Sequence, residues 1–276
     1  MSWQFEPLNQ TYRTYQSLFA APNGDIYCGT STAPYVYRRP SGESTFLELE
    51  SALTSIGGLA GVGADVYRSV NGGGSHAIQK RTGGAGAFVD YNTNSDRSST
   101  TGMVYSPYSG YMYYVTYNGA GVYRFLPGGA SSQGMQVWNG PHQIFHIAIS
   151  TAGDLYITTW TGNGPGGSST GYCYKQVGES GSFITLSDAF PETVDGTSAW
   201  MGVGAAKNGD VYISDGSYIY RQAAGESLFY RFQTLAYVRA FSGADDGSVY
   251  ACVNAGDIYM LRSPVSKLKH YAQIIG

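Results

Sequence analysis

One short pattern recurs six times along the chain and constrains its fold more than any other feature. It consists of an apolar segment, a tight turn, Gly-Asp with an aliphatic residue and Tyr, a gap containing Gly or Asn, and then Tyr with a basic residue. The clearest copies begin at Gly24, Gly153 and Gly209. The first Tyr of each copy stands at position 27, 67, 113, 156, 212 or 250. A spacing near 40 to 50 residues is typical of β-propeller blades.

Each copy resolves into four short strands. Small residues dominate the first strand, as crowding around a central axis requires. The second and third strands carry the two Tyr residues, and the fourth alternates aromatic with polar residues. The first strands are expected at 17–21, 59–62, 103–106, 145–150, 201–205 and 238–242, and fourth strands at 46–49, 88–91, 135–138, 183–186 and 229–232.

The sequence therefore predicts an all-β fold, a six-bladed β-propeller of four-stranded antiparallel blades. The 39 Gly residues fit many tight turns, only 13% of residues are charged, and no segment has the 3.6-residue periodicity of a long helix. We expect one domain over 1–276, with repeats near 11–50, 51–94, 95–139, 140–190, 191–235 and 236–276.

Residues 1–10 are expected to close or flank the ring. Trp3 and Phe5 lie on one face of a segment that copies the fourth-strand pattern, and Pro7 is tolerated only at a sheet edge. The segment should pack along the sheet that contains Tyr250 and Tyr259. A strand at 270–275 is the alternative for the outermost place.

Charge and hydropathy exclude several classes of function. With 16 Lys and Arg against 19 Asp and Glu, the net charge of −3 argues against nucleic-acid binding. No apolar run approaches the roughly 20 residues that span a bilayer, so membrane insertion is not expected. No secretory signal is recognised at the start of the chain, which predicts a virion-associated protein or a cytoplasmic one released without a leader. Cys28, Cys173 and Cys252 are expected to be reduced and buried.

Two of the later repeats resemble a known family. Residues 239–259, and residues 203–212 with 218–221, are similar to the blades of tectonins and of tachylectin-like propeller lectins, and the other four units resemble them more loosely. The resemblance implies a propeller that binds sugars. Tyr212 and Tyr250 stand where that family commonly has Trp. The Tyr-, Gly- and Ser-rich composition also resembles that of bacteriophage tail and receptor-binding proteins.

No catalytic group, metal or cofactor is predicted. The repeated Asp residues at 25, 65, 154, 210 and 257 stand beside turns and are interpreted as turn formers rather than calcium ligands. His142 and His146, four residues apart in an extended segment, lie about 13 Å from each other and cannot share a metal. Glu48 and Glu50 share a strand face, so a carboxylate pair for glycoside cleavage stays conceivable.

A ligand site is expected where the loops vary most in length. The hairpin gaps and the connections between blades emerge on one face, and loops of variable length commonly carry function. The candidate ligand-binding residues are Tyr117, Asn118, Trp160, Asn163, Trp200, Asp215 and Asn254.

The leading functional hypothesis is a non-enzymatic propeller that recognises cell-surface glycans as a phage virion or tail component. A structural adaptor or decoration protein, with other virion or assembly proteins as its partners, is the alternative from a different class. A glycoside hydrolase or lyase comes third.

Overall fold

The computed structural model describes residues 4–8, 14–31, 36–50, 55–72, 75–92, 99–117, 121–129, 134–161, 170–186, 189–190, 202–254 and 256–262. These residues form six four-stranded antiparallel sheets arranged as a six-bladed β-propeller, which confirms the predicted fold class. Helical geometry within the described ranges is confined to two 3₁₀ turns, Thr82–Gly84 and Val177–Glu179, and to the single residue Ala189. No described helix is long and apolar enough to cross a membrane.

In the first five blades the strands follow one another from the axis outward. Blade 1 contains β2 (Tyr15–Ala20), β3 (Ile26–Thr30), β4 (Val36–Arg39) and β5 (Leu47–Glu50); blade 2 contains β6 (Ser55–Val62), β7 (Asp65–Gly72), β8 (Ser75–Arg81) and β9 (Val89–Asn92). Blade 3 contains β10 (Thr100–Tyr105), β11 (Met112–Thr116), β12 (Gly121–Phe125) and β13 (Met135–Asn139); blade 4 contains β14 (Gln143–Ile149), β15 (Leu155–Thr161), β16 (Thr170–Gln176) and β17 (Ile184–Thr185). Blade 5 contains β18 (Val203–Ala205), β19 (Val211–Ser214), β20 (Tyr218–Gln222) and β21 (Tyr230–Thr234).

Blade 6 is completed by the N-terminal segment. Its inner strands are β22 (Val238–Gly243), β23 (Val249–Val253) and β24 (Ile258–Leu261), and its outermost strand is β1 (Glu6–Leu8). Strand β1 runs antiparallel to β24, with Pro7 opposite Tyr259. This is the place expected for residues 3–8, and it puts Pro7 on an edge strand where its missing N–H costs no ladder hydrogen bond. Trp3 lies outside the described residues.

In four blades the repeated Asp residue links the turn that carries it to the turn between the third and fourth strands. In blades 1, 2, 4 and 5 an Asp side chain pairs with a basic residue on the third strand. The pairs are Asp25–Arg38, Asp65–Lys80, Asp154–Lys175 and Asp210–Arg221, at 2.6 to 2.8 Å. The second oxygen of each carboxylate accepts a backbone N–H from the turn between the third and fourth strands, at Ser41, Gly83, Gly178 or Ala224. The turn-forming role predicted for these residues is confirmed.

Blades 3 and 6 lack the ion pair between Asp and a basic residue, because other residue types stand at one or both of its positions. In blade 3, Tyr111 replaces the Asp, and the Arg124 guanidinium stacks on its ring at 4.4 Å instead. In blade 6, Ser248 and Met260 take the two positions, so the acid and its base are lost together. Asp257, which the sequence pattern groups with the others, precedes the third strand, and its backbone oxygen accepts the Val253 N–H.

The inner strands share a second repeated feature, a β-bulge near the start. The register of the first two strands shifts by one residue in blades 1, 2, 3, 4 and 6. The bulged residues are Gln16, Gly57, Thr101, Phe145 and Arg239. A bulge bends the strand and turns the next side chain to a new direction. The residue after each bulge therefore occupies an equivalent position near the axis, and blade 5 places Gly202 at the same level, opposite Ser214.

Candidate functional site

Two of the predicted ligand-binding residues, the half-buried Tyr117 and the buried Trp160, contact the same ring. The Tyr117 ring meets Phe145 edge-on at 5.8 Å, and Phe145 lies 5.5 Å from Trp160. Trp160 is only 5% exposed, and its indole N–H has no partner among the described residues. Burial raises the pKa of the Tyr117 hydroxyl. The three rings join blades 3 and 4, and a ligand role for Tyr117 and Trp160 stays a prediction.

The other predicted site residues are not brought into this cluster. Asp215 is buried in a blade 5 turn, where it accepts hydrogen bonds from the backbone N–H groups of Ser217 and Tyr218 and from the Tyr220 hydroxyl. Both of its carboxylate oxygens are therefore engaged in structure. Asn254 donates its backbone N–H to Tyr237. Asn118, Asn163 and Trp200 lie outside the described residues.

A cavity of about 480 Å³ runs along the propeller axis. Its walls are mainly apolar side chains of the inner strands, including Leu18, Leu59, Met103, Ile147 and Phe241. Its mouth lies at the turns between the first and second strands, which we call the turn face; the mouth residues are Pro22, Gly63, Pro107, Thr151, Lys207 and Asp245. The sequence places the candidate site on the opposite face, where the hairpin gaps emerge. The cavity therefore opens on the face opposite the one where loop length predicts the ligand site.

His146 is the one large side chain at the tightest level of the axis. At the position after each bulge the other blades have Ser17, Gly58, Gly102, Gly202 and Ala240, all buried. Their smallness is required by the approach of neighbouring inner strands. A Cβ added at Gly102 would lie 3.1 Å from the Ile147 backbone nitrogen, and one at Gly202 would lie 3.0 Å from the Arg239 carbonyl carbon. An imidazole at this level is therefore an exception to the repeat.

The buried environment of His146 favours the neutral imidazole. Burial lowers its pKa to about 4, while hydrogen bonding to the backbone of Val203 and of Ile147 acts in the opposite direction. A backbone carbonyl that accepts a ring N–H favours the protonated form of a histidine, which accounts for this direction. Nδ1 has no partner among the described residues. The imidazole lines the inner end of the cavity, while Nδ1 itself is buried.

The mouth of the cavity is polar on one side and apolar on the other. Lys207 and Asp245, from adjacent turns, form an ion pair at 3.2 Å with side chains 55% and 50% exposed. The Tyr108 hydroxyl donates to the backbone oxygen of Thr151. An exposed ion pair such as Lys207–Asp245 contributes about 0–1 kcal/mol to stability. Both charges of this pair therefore stay accessible to solvent at the mouth of the cavity.

The described residues offer no metal centre and no reactive thiol. No group of three or more His, Cys, Asp or Glu side chains that could hold a metal occurs among them. Cys28, Cys173 and Cys252 are buried and unpaired, as predicted. Burial raises the pKa of each thiol, to about 12 for Cys252. Because a thiolate is the nucleophilic form, these thiols are unreactive at neutral pH.

The sequence pattern alone does not identify His146 as a functional residue, because its spacing from His142 indicates only that the two cannot share a metal. The signal that finds it is an alignment of the six inner strands at the residue after the bulge. That alignment shows Ser, Gly, Gly, His, Gly and Ala in blade order. A bulge of one residue changes which side chains share a face, so the alignment needs the register of the structure.

Known proteins resemble the chain in structure. No protein family and no curated protein matches the sequence. A Xanthomonas campestris gluconolactonase structure matches with a TM-score of 0.71 and 11% identity, over 95% of this chain and 90% of that one. Catalytically inactive virginiamycin B lyase from Staphylococcus aureus, solved with quinupristin, matches with 0.63 and 15%, over 95% and 86%. A putative glucose dehydrogenase from Thermus thermophilus matches with 0.64 and 14%, over 94% and 99%.

These likenesses establish the propeller architecture and correct the functional hypothesis. The solved structures that share the fold over nearly the whole chain include a lyase, a gluconolactonase and a putative dehydrogenase. The expectation of a non-enzymatic glycan-recognition or virion component is therefore wrong, and so is the expectation of no enzyme activity. The architecture implied by the tectonin-type repeat is present, but its sugar-binding function rests on a pattern of residues that several propeller families share.

Proposed function

We propose that the chain is an enzyme that uses His146 as a general base on a small organic molecule in the axial cavity. The observation that carries the proposal is the side chain of His146 in the lining of a cavity of about 480 Å³, at a level where the other five blades have Gly, Ala or Ser; its buried Nδ1 has no partner among the described residues. Substrate sites are typically cavities of about 300–1,000 Å³ with mainly apolar walls and few polar groups. A single buried polar atom without a partner is costly unless something pairs with it.

The position of His146 suits proton transfer. The unprotonated nitrogen of a neutral imidazole can take a proton from a substrate or from a water molecule that reaches the ring. The charge that then develops on the ring is favoured by the backbone of Val203 and of Ile147, which already act to raise the pKa of this group. The ring N–H that forms when the imidazole takes the proton can then donate that proton to the oxygen of the leaving group. The apolar walls exclude bulk water and strengthen each of these hydrogen bonds.

The pKa of about 4 limits the reactions that this base can support. The lowered pKa keeps the ring largely unprotonated at neutral pH, but it also makes the ring a weak base, so the substrate must itself be activated. Hydrolysis of a lactone or an activated ester, and elimination next to an ester carbonyl, meet this condition. The gluconolactonase and the lyase among the structural neighbours support this choice of reaction class.

A panel of lactones and activated esters tests the proposal. The wild-type protein should turn over at least one member, and His146→Gln should lower kcat/KM by about 100-fold or more. His142→Asn is the matched control, because His142 stacks on Tyr172 outside the cavity. Its kcat/KM should stay within about twofold of wild type. No turnover by the wild-type protein, or equal rates for His146→Gln and wild type, would overturn the proposal.

A further inference from the structure

One arginine of blade 6 lacks the acidic or aromatic partner that accompanies other arginines of the chain. Arg38 pairs with Asp25 at 2.7 Å, and the Arg124 guanidinium lies 4.4 Å from the centre of the Tyr111 ring. Arg239 makes no hydrogen bond, ion pair or ring contact with the described residues, and its Nε is buried without a partner. Arg239 is therefore a cation with no counter-ion in the described part of the chain.

The β-bulge of blade 6 places Arg239 at the seam between blades 6 and 1. Arg239 is the bulged residue of β22 and has no Cα partner on β23. Val238 before it packs with blade 5, whereas Ala240 after it packs with blade 1. The Arg239 side chain lies close enough to Cys252, a member of the same cluster as Ala240, to act on the ionisation of its thiol. The guanidinium therefore lies on the blade 1 side, at the end of β22 opposite the turn face.

The surroundings of Arg239 make an uncompensated positive charge costly. A guanidinium stays protonated in proteins, so it cannot adapt to burial by losing its proton. Burial lowers the pKa of Arg239, and among the described residues only Cys252 acts in the opposite direction. Burial raises the pKa of the Cys252 thiol to about 12, so this thiol is neutral at pH 7 and supplies no negative charge. Because buried charges are normally paired, the counter-charge must come from outside the described residues.

One edge of the Arg239 guanidinium is open to a ligand. Nε is the one nitrogen of this side chain that is both buried and unpartnered. Nη1 and Nη2 have no partner among the described residues either, so both keep accessible surface. These two nitrogens donate in parallel from a planar group, which matches two oxygens of a carboxylate or a phosphate. Arg239 does not line the axial cavity, so this edge is separate from it.

We propose that Arg239 binds a small oxyanion, a carboxylate or a phosphate, at the seam between blades 6 and 1 on the face opposite the cavity mouth. The anion accepts hydrogen bonds from Nη1 and Nη2 and neutralises the charge. Because the site faces away from the cavity, the proposal depends neither on His146 nor on the proposed reaction. A ligand that binds only the folded chain here stabilises the ring where its first and last blades meet.

Titration of ¹⁵N-arginine-labelled protein tests the site, with sodium phosphate and sodium acetate as separate probes and sodium chloride holding the ionic strength constant. The Nε resonance of Arg239, identified by its loss in Arg239→Met, should shift and saturate with a dissociation constant below about 10 mM for at least one probe. Tighter acetate binding assigns the site to a carboxylate, and tighter phosphate binding assigns it to a phosphate. No shift, or a shift without saturation for both probes, would overturn the proposal.

Melting curves separate binding at Arg239 from general effects of salt. In sodium chloride alone, Arg239→Met should melt at the wild-type temperature or above it, because an apolar side chain replaces an uncompensated cation. With the binding anion at about ten times its dissociation constant, the wild-type Tm should rise by about 3 °C more than that of Arg239→Met. Arg262→Met, at an exposed position, is the matched control and should gain as much as wild type. Equal gains for wild type and folded Arg239→Met would contradict the site.

Discussion

Phe5 and Gln233 bind each other in both directions. The backbone N–H of Phe5 donates to Oε1 of Gln233 at 2.6 Å, and Nε2 of Gln233 donates to the Phe5 carbonyl at 3.3 Å. Gln233 belongs to the outer strand of blade 5, whereas the strand that follows Phe5 completes blade 6. The N-terminal segment therefore fastens two blades at once, and the Phe5 ring, 3% exposed, packs between them against Tyr212 and Phe241.

Truncation of Phe5 should loosen the ring. Phe5→Ala removes a buried ring and is expected to cost about 3 kcal/mol, which lowers Tm by roughly 6 to 12 °C for a chain of this size. Leu47→Ala, at a strand position that is 56% exposed, should change Tm by less than about 2 °C. Differential scanning calorimetry of the three proteins gives the comparison. Equal melting temperatures for Phe5→Ala and wild type would show that the segment does not close the ring.

The ionised Asp25 carboxylate should make part of the free energy of unfolding depend on pH. Burial acts to raise the pKa of Asp25, but hydrogen bonds from Arg38, from the Ser41 N–H and from Asn23 outweigh it, so the net pKa lies below 3.8. A lowered carboxyl pKa means stability that is present above the unfolded-state pKa and is lost as the pH falls through the folded-state pKa.

Asp25→Asn should accordingly be less stable than wild type at pH 7, and the gap should narrow below about pH 4. Urea unfolding at a series of pH values measures the gap. Asp245→Asn is the control, because its half-exposed pair with Lys207 should contribute little at any pH. A gap that stays constant down to pH 2 would refute the role of the carboxylate charge.

The architecture could be predicted from the sequence because the pattern that specifies one blade occurs six times along the chain. The turn chemistry of Gly-Asp and the small residues of the inner strands are local signals, and each was sufficient to place a strand or a turn. The closing strand followed from its likeness to other fourth strands. These features depend on neighbours in the chain or on repetition, and both are visible in one sequence.

The site could not be predicted, because it is formed by long-range approach. Loop length predicts Trp160 as an accessible ligand-binding residue, but in the structure its ring is buried against Phe145. The cavity arises where six inner strands meet, and its inner end is set by the smallness of residues such as Gly58 and Gly102. Which side chain faces the axis depends on a bulge in each inner strand, and a bulge leaves no clear mark in the sequence.

Burial of neutral His146 should also destabilise the protein in mild acid. Because its folded-state pKa of about 4 lies below the unfolded value of 6.5, the unfolded chain binds more protons between these limits. Wild type should therefore lose about 1.4 kcal/mol per pH unit from this group as the pH falls from 6.5 toward 4. His146→Gln should lack this component, whereas His142→Asn should retain it. Parallel stability curves for His146→Gln and wild type over this range would contradict the burial of the imidazole.

The ionisation of His146 is the central claim, and a ¹⁵N NMR titration of histidine-labelled protein measures it directly. The chain has four histidines, so His146→Gln identifies the resonances by their loss. The account predicts a His146 pKa of about 4 and a neutral ring at pH 7. A pKa near 6.5 would contradict it.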